Sequence, residues 1–280
     1  MVSAERIIEN LTEIPTLPTI YSSLADVLAD PCSSTQDISK IISCDQASTS
    51  KILKIVNSPF YGFQGQIDTV SRAIVILGYN EIHNLILTSC IIDFFSKKDS
   101  SFIFQPVHFW GHSIAVGIAT KSLAGIMGLT KQDNFFTAGV LHDIGKLIFF
   151  EFAEEQFAKA LELAAKKRLA LHLAEETVFG LDHAQIGALV SEKWGFPPSI
   201  VNALRYHQTG LVPETSDKLV AAVHLGNILV RALELGYPGD NLIPQPNQEA
   251  LEILNLEPGS LTKIIPSLLR GYEEISRILL

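Results

Sequence analysis

The sequence predicts an all-α protein, and three observations carry that prediction. Apolar residues recur at helical spacing in nearly every segment of the 280-residue chain. No stretch alternates apolar and polar residues in the way that a half-buried strand does. Hydrophobic residues make up 47% of the sequence, which is ample for a large buried core. We therefore expect a globular chain built from many packed helices.

The first third of the chain contains signals for four helices. Stripes of apolar residues predict them at about residues 34–42, 45–56, 70–77 and 81–96. Ser34 followed by Asp37 has the spacing of a capping box at the first of them. Gly78 is expected to end the third helix, and Asn80 to cap the fourth. Residues 57–66, NSPFYGFQGQ, mix proline, glycine and aromatic residues without a period, so a loop is expected there.

A polar break at residues 97–101 predicts a joint between this part and the rest of the chain. Beyond it, apolar periodicity predicts helices at about 106–128, 133–150, 154–168, 171–179, 182–194, 197–208 and 216–235. Residues 237–248 contain three prolines and predict a loop, which two final helical stretches follow. We accordingly divide the chain into an N-terminal helical lobe (1–98), a second helical lobe (99–236) and a C-terminal helical extension (237–280).

Composition and charge argue against several classes of protein. The formal net charge of −9 disfavours a broad nucleic-acid surface, because lysine and arginine carry most phosphate binding. No run reaches the roughly 18 apolar residues of a membrane span, and the start MVSAERIIEN is charged where a signal peptide is apolar. Three widely spaced cysteines without a CxxC pair indicate reduced thiols rather than disulfides. We expect a cytoplasmic protein that binds neither nucleic acid nor membrane.

The stretch GVLHDIGK contains an adjacent pair, His142 and Asp143, late in an apolar predicted helix. A carboxylate buried there is costly without a partner, and a cation supplies that partner. Histidine nitrogen together with aspartate oxygen suits zinc, iron or manganese. Two such ions bridged by the carboxylate can activate a water molecule and bind a phosphate oxygen. Gly145 would let another backbone or a ligand approach closely, while Lys146 either faces a phosphate or is a solvated charge near a helix end.

The order of the histidine motifs resembles the HD superfamily of metal-dependent phosphohydrolases. That order is His112, then His142-Asp143 with its GK pair, then His183 in DHAQIG, then His207 in RYHQ. The N-terminal half is similar nearly throughout to the HDOD domain, the HD-related output domain of bacterial signalling proteins. This likeness rests on the double-proline opening IPTLP, the Asp45 helix, Asn57-Ser58 and Leu77-Gly78. It covers about residues 12–210 and implies an HD-like helical fold with a helical N-terminal lobe.

The resemblance implies a set of metal ligands. Five residues match ligand positions of the HD pattern: His112, His142, Asp143, His183 and His207. One ion would be held by the first three of these residues and a second by the last three, with iron, manganese or zinc as the cofactor. An alternative is that the five residues are hydrogen-bonded to one another without metal. His108 lies one helical turn before His112 and is an alternative ligand.

The chain also departs from the pattern of active HD enzymes. Asn227 stands where the last ligand is an aspartate, and an amide oxygen brings no negative charge. His224, three residues earlier, is an alternative substitute for that aspartate. Gln208 follows His207 where relatives that cleave cyclic di-GMP have a His-His-Glu run. A Gly-Tyr-Pro triplet at 236–238 follows Asn227 instead of preceding it, and we interpret it as a turn.

These features favour a non-catalytic signalling or regulatory module that acts through protein contacts. No receiver or GGDEF-type domain fits in the chain, so a stand-alone HDOD protein is expected. We expect the loop with Phe60, Tyr61 and Phe63 to form the contact surface for a protein partner. The alternative is that this loop packs between the two helical halves. One alternative function is a metal-dependent phosphohydrolase acting on a nucleotide or cyclic dinucleotide, with Asp143 and Lys146 in catalytic roles. Another is a sensor that binds a phosphate compound without cleaving it.

Overall fold

The computed structural model describes residues 46–280 apart from 64, 97–103, 130, 131 and 133. Every regular element in this part of the chain is a helix, and one isolated bridge joins Val212 and Thr215. The all-α prediction is confirmed. The predicted helix at 34–42 and the predicted joint at 97–101 lie outside the described residues.

Thirteen helices occur in the described residues. In chain order they are α1 (Gln46–Val56), α2 (Val70–Leu77), α3 (Tyr79–Phe95), α4 (Pro106–Ile126), α5 (Phe135–Leu141), α6 (Ile144–Phe152), α7 (Glu154–Lys167), α8 (Leu171–Phe179), α9 (His183–Lys193), α10 (Pro198–Tyr206), α11 (Lys218–Ala232), α12 (Gln248–Leu254) and α13 (Ser260–Leu279). Polar caps explain several of the starts. The Thr69 side chain accepts a hydrogen bond from Arg72 N at α2, and Asp182 forms a capping box with Gln185 at α9.

Two predicted boundaries are wrong. Helix α3 begins at Tyr79 rather than after Asn80, because Gly78 at φ +84° both ends α2 and starts α3. The helix predicted at 133–150 is divided into α5 and α6 at His142 and Asp143. The backbone of Asp143 leaves helical geometry there, with φ −102° and ψ 11°. On an unbroken helix the two neighbouring side chains would diverge by about 100°, and the turn lets both face one site.

Helix α4 lies at the centre of the fold. It packs against α5, α11 and α13, and most of its residues are buried. Its crossing with α5 is close, since a Cβ added to Gly139 would lie 2.6 Å from Gly117 Cα. The ring centroids of His112 on α4 and His142 after α5 are therefore only 5.5 Å apart.

The remaining helices extend this packing on both sides. Helices α1 and α2 pack on α3, which contacts α5. On the other side α6 packs on α9, α9 on α10, and α10 on α11. No helix in the described part of the chain has the length and apolar character needed to cross a membrane. The segments that carry the predicted ligands are thus direct neighbours.

Candidate metal centre

The structure brings all five predicted ligand residues together in one buried cluster. His112 stands on α4, His142 and Asp143 in the turn between α5 and α6, His183 at the first residue of α9, and His207 just after α10. Each of them is at most 3% exposed. Their ligand atoms form two groups within 4.8 Å, the first made of His112, His142 and Asp143 and the second of Asp143, His183 and His207. These are the two triads expected from the sequence.

The carboxylate of Asp143 is the centre of the cluster. Its Oδ2 lies 3.3 Å from His142 Nε2 and accepts a 2.6 Å hydrogen bond from Lys146 Nζ. Its Oδ1 lies 3.1 Å from His183 Nε2 and 3.5 Å from His207 Nε2. One carboxylate therefore faces three imidazole rings and one ammonium group.

Three of the histidines have their Nδ1 atoms held by acceptors on the far side of the ring. His142 Nδ1 is 2.8 Å from Gly139 O, His207 Nδ1 is 2.8 Å from Leu204 O, and His183 Nδ1 is 2.5 Å from Glu175 Oε2. Oxygens of this kind only accept, so each Nδ1 donates, and Nε2 of a neutral ring presents a lone pair towards Asp143. Metal-binding histidines are held in the same way in proteins.

His112 differs because neither of its ring nitrogens has a hydrogen-bond partner in the described part of the chain. Burial lowers the pKa of His112 well below its usual value, and the neighbouring His142 lowers it further. The ring is therefore neutral at pH 7. A buried, neutral and unpartnered imidazole fits a metal ligand, since coordination would satisfy the nitrogen that is now without a partner.

Glu175 is a residue of the cluster that the sequence did not lead us to expect. It stands on α8 and is fully buried, and its Oε2 accepts from both the backbone N–H (2.9 Å) and Nδ1 of His183. The sequence does contain a signal for it. Glu175 lies four residues after Leu171 and four before Phe179, so a carboxylate interrupts a buried apolar stripe.

The charges in the cluster are unevenly distributed. Burial alone would raise the pKa of Asp143, but neighbouring His142 and Lys146 outweigh burial and hold that pKa well below its usual value. Burial likewise opposes a charge on His183, but Glu175 and Asp143 raise its pKa to about 9. For His207, burial dominates and lowers the pKa to about 4. Without metal at neutral pH, His183 is thus protonated and His207 is neutral.

The free energy of unfolding of the metal-free protein is expected to peak near pH 6.5. The folded pKa of His183, about 9, lies above the unfolded value of 6.5, so its stabilisation is lost as pH rises through that window. The folded pKa of His207, about 4, lies below 6.5, so stability falls as pH drops from 6.5 towards 4. Each effect amounts to at most about 3 kcal/mol.

Urea unfolding in chelator between pH 4.5 and 9 measures this dependence. His183→Gln should abolish the decline on the alkaline side and leave the decline on the acid side. A wild-type free energy of unfolding that stays constant from pH 6.5 to 9 would contradict the assignment of charge to His183.

Lys146 is not the solvated charge that one interpretation of the sequence allowed. It is 2% exposed, and its Nζ donates to Asp143 Oδ2 and, over 3.1 Å, to Pro238 O. The Gly-Tyr-Pro triplet is therefore more than a turn. Its Pro238 carbonyl accepts a hydrogen bond from Lys146. Its Tyr237 N donates a 2.9 Å hydrogen bond to the carbonyl of His108, which lies on helix α4.

The two alternative histidine ligands lie outside the cluster. The His108 side chain is exposed. His224 Nδ1 donates to His207 O (2.9 Å), while its Nε2 accepts from Asn247 N (3.1 Å), so backbone groups occupy both ring nitrogens. Asn227, in contrast, is 8% exposed and its side-chain oxygen has no partner in the described part of the chain.

A cavity of about 410 Å³ reaches the cluster from one side. It is bordered by Asp143, Lys146 and Asn227, and by Arg231. Arg231 is held in place by Asp240 through two hydrogen bonds of 2.9 and 3.0 Å. A small ligand could therefore approach the Asp143 carboxylate through an opening with a fixed wall.

The approach of α6 to α9 fixes the distance between Asp143 and His183. A Cβ added to Gly145 would lie 2.0 Å from His183 O. Only glycine fits this position, which confirms the expectation that Gly145 allows a close backbone approach.

Comparisons with known proteins agree with the fold. The model of the HDOD domain family matches residues 14–209. A protein of Treponema pallidum (strain Nichols) is 24% identical over 233 residues, which are 82% of this chain and 45% of that protein. The chain thus spans less than half the length of this relative.

Two solved structures have a similar fold. An HDOD domain protein of unknown function from Geobacter sulfurreducens superposes with a TM-score of 0.80 at 22% identity, over 98% of this chain and 96% of that one. A candidate phosphohydrolase from Shewanella amazonensis superposes with a TM-score of 0.76 at 22% identity, over 98% of both chains. At these identities the likeness establishes the HD-like helical fold.

Proposed function

The chain belongs to the HDOD family, and we propose that it is a signalling module that retains a centre for one or two divalent transition-metal ions. One observation carries the proposal. Three histidine Nε2 atoms converge on the carboxylate of Asp143, while each Nδ1 is tied to an acceptor outside the cluster. With the Nδ1 atoms occupied in this way, the Nε2 atoms and the Asp143 oxygens together form the donor set of a bridged metal centre, and a bound metal would displace the proton that His183 carries in the metal-free protein.

The donor set fits iron, manganese or zinc. Neutral imidazole suits all three ions, and an aspartate can bridge two of them. The first ion would be held by His112, His142 and Asp143, and the second by Asp143, His183 and His207. A bound ion of this kind supplies Lewis acidity to a phosphate oxygen or a water molecule.

The centre has fewer anionic ligands than the pattern of active HD enzymes, which is why we propose a module without turnover. Asp143 is the single carboxylate in the two triads, and it would have to balance up to two dications. Asn227 brings a neutral amide to the cavity. Gln208 is also neutral, and its Nε2 lies 3.0 Å from His183 Nε2.

Metal occupancy would connect four parts of the fold. The ligands come from α4, the α5–α6 turn, α9 and the end of α10. An ion that binds only the folded protein stabilises it by mass action. Metal binding would thereby make the surface that contacts a protein partner more rigid.

The proposed contact with a protein partner involves the loop after α1. Tyr61 donates a 2.7 Å hydrogen bond to Glu81, and Phe60 packs against Phe136 at a centroid separation of 5.7 Å. Both rings are half-buried, whereas Phe63 is 38% exposed. Phe63 is therefore the aromatic residue most available to a partner.

Elemental analysis of protein purified without added metal is expected to find one or two iron, manganese or zinc ions per chain. Asp143→Ala should reduce the content to well below one ion, because Asp143 belongs to both triads, whereas His142→Ala removes a ligand of the first triad only and should cost at most one ion. His108→Ala is the matched control on α4, since its exposed side chain lies outside the cluster, and it should retain wild-type metal content. Wild-type protein without stoichiometric transition metal would contradict the proposal.

A second candidate function is metal-dependent phosphohydrolysis, which the cavity open to Asp143 and Lys146 favours. Metal-loaded protein can be assayed on phosphomonoesters, nucleotides and cyclic dinucleotides. Product that appears with the wild type and is lost in Asp143→Asn would establish this activity and overturn the non-catalytic assignment. Heat of binding without product would instead indicate a sensor of a phosphate compound.

A further inference from the structure

We infer that the two metal positions are unequal, and that Glu175 makes the position at Asp143, His183 and His207 the tighter one. The inference rests on the proposed metal centre. It adds a positioning residue that touches no metal itself, and an order in which the two positions fill.

The anchor of His183 is the strongest in the cluster. Glu175 Oε2 lies 2.5 Å from Nδ1 and also accepts from the His183 backbone N–H over 2.9 Å. One oxygen thus fixes both the main chain and the ring of this residue. The other oxygen of Glu175 has no partner in the described part of the chain, so all of its hydrogen bonding serves His183.

The acceptors behind the other rings are weaker. His142 and His207 donate to the neutral carbonyls of Gly139 and Leu204, whereas His183 faces an ionisable carboxylate. A carboxylate on Nδ1 makes the opposite nitrogen a better electron donor to a metal and holds the ring at one angle. The second triad therefore contains the one ligand with charge-assisted support.

The first triad contains the ligand with the least support. His112 is fully buried, yet neither ring nitrogen has an acceptor in the described residues. Among the described residues, no hydrogen bond fixes its tautomer before a metal arrives. His112 would therefore coordinate without the hydrogen bond on its other ring nitrogen that supports the other three histidines.

Titration of metal-stripped protein with Zn²⁺, in competition with a chromogenic chelator, tests the inference. The wild type should bind in two steps of different affinity. His112→Ala should remove the weaker step and leave the tighter one unchanged. Glu175→Gln, which keeps the size of the side chain but not its charge, should weaken the tighter step by about 10- to 100-fold and leave the weaker step in place.

Glu176→Gln is the matched control, because Glu176 is the next residue on α8 and is exposed. It should reproduce the wild-type titration. Urea unfolding of each variant in chelator shows whether it folds. If Glu175→Gln does not fold, the order of filling is determined by Zn²⁺ titration of two other variants. His112→Ala should lose the weaker step, and His207→Ala should lose the tighter step.

The outcomes separate this inference from the proposed function. Wild-type protein that binds no Zn²⁺ overturns the metal centre and the inference together. Two binding steps of equal affinity would overturn the inference alone. The same holds if His112→Ala removes the tighter step and Glu175→Gln leaves that step intact. A spectrum of the Co²⁺-loaded protein that changes in Glu175→Gln at one equivalent would support it, because the first ion then has a ligand with altered donor strength.

Discussion

Gly145→Ala is expected to lower the free energy of unfolding by about 3 kcal/mol and to abolish metal binding at the second triad. The added Cβ would lie 2.0 Å from His183 O and 2.7 Å from its carbonyl carbon. These are backbone atoms at the start of α9, so the clash can be relieved only by moving α6 away from α9. Such a movement would separate Asp143 from His183, which now lie 3.1 Å apart.

The control for this variant lies on the same interface. A Cβ on Gly187 would lie 3.2 Å from the Ile144 side chain and 3.3 Å from Gly145 N, contacts that a shift of a few tenths of an ångström relieves. Gly187→Ala should therefore change stability and Zn²⁺ affinity only slightly. Urea unfolding and Zn²⁺ titration measure both variants, and wild-type behaviour of Gly145→Ala in both would refute the role assigned to this contact.

Asp143→Asn is expected to destabilise the metal-free protein by about 3–5 kcal/mol, and Lys146→Met added to it should restore most of that loss. The single substitution leaves an ammonium group that is 2% exposed with the Pro238 carbonyl as its partner. A buried charge without its counter-charge is costly, whereas removal of both charges together is much less so.

A double-mutant cycle by urea unfolding in chelator measures this coupling. Asp93→Asn provides a surface reference, since Asp93 pairs with Lys51 and its side chain is 52% exposed. That change should cost no more than about 1 kcal/mol. If the double variant is as unstable as the sum of the two single variants, Asp143 and Lys146 do not neutralise each other.

The fold class could be predicted from apolar periodicity, but the break between α5 and α6 could not. Every residue of α5 is buried, and so are residues 144–150 of α6. A segment that is buried all round has no exposed polar face to mark a change of direction. The division at Asp143 depends on what the side chains contact, which periodicity does not record.

The five clustered residues could be predicted from the order of the family's motifs, while their partners could not. Pro238 lies 92 residues from Lys146 in the chain, yet its carbonyl accepts from the lysine. His224 has a suitable side chain and position, but backbone groups occupy both of its ring nitrogens. Hydrogen bonds of this kind arise from packing between distant segments, so a single sequence does not reveal them.

Helices α11 and α13 cover two faces of α4, the helix that carries His112. Both lie beyond residue 209, where the match to the HDOD family model ends. A chain cut at that residue would expose apolar surface of α4 to water and remove the carbonyl that Lys146 binds. The cooperative folding unit is therefore longer than the segment by which its family is recognised.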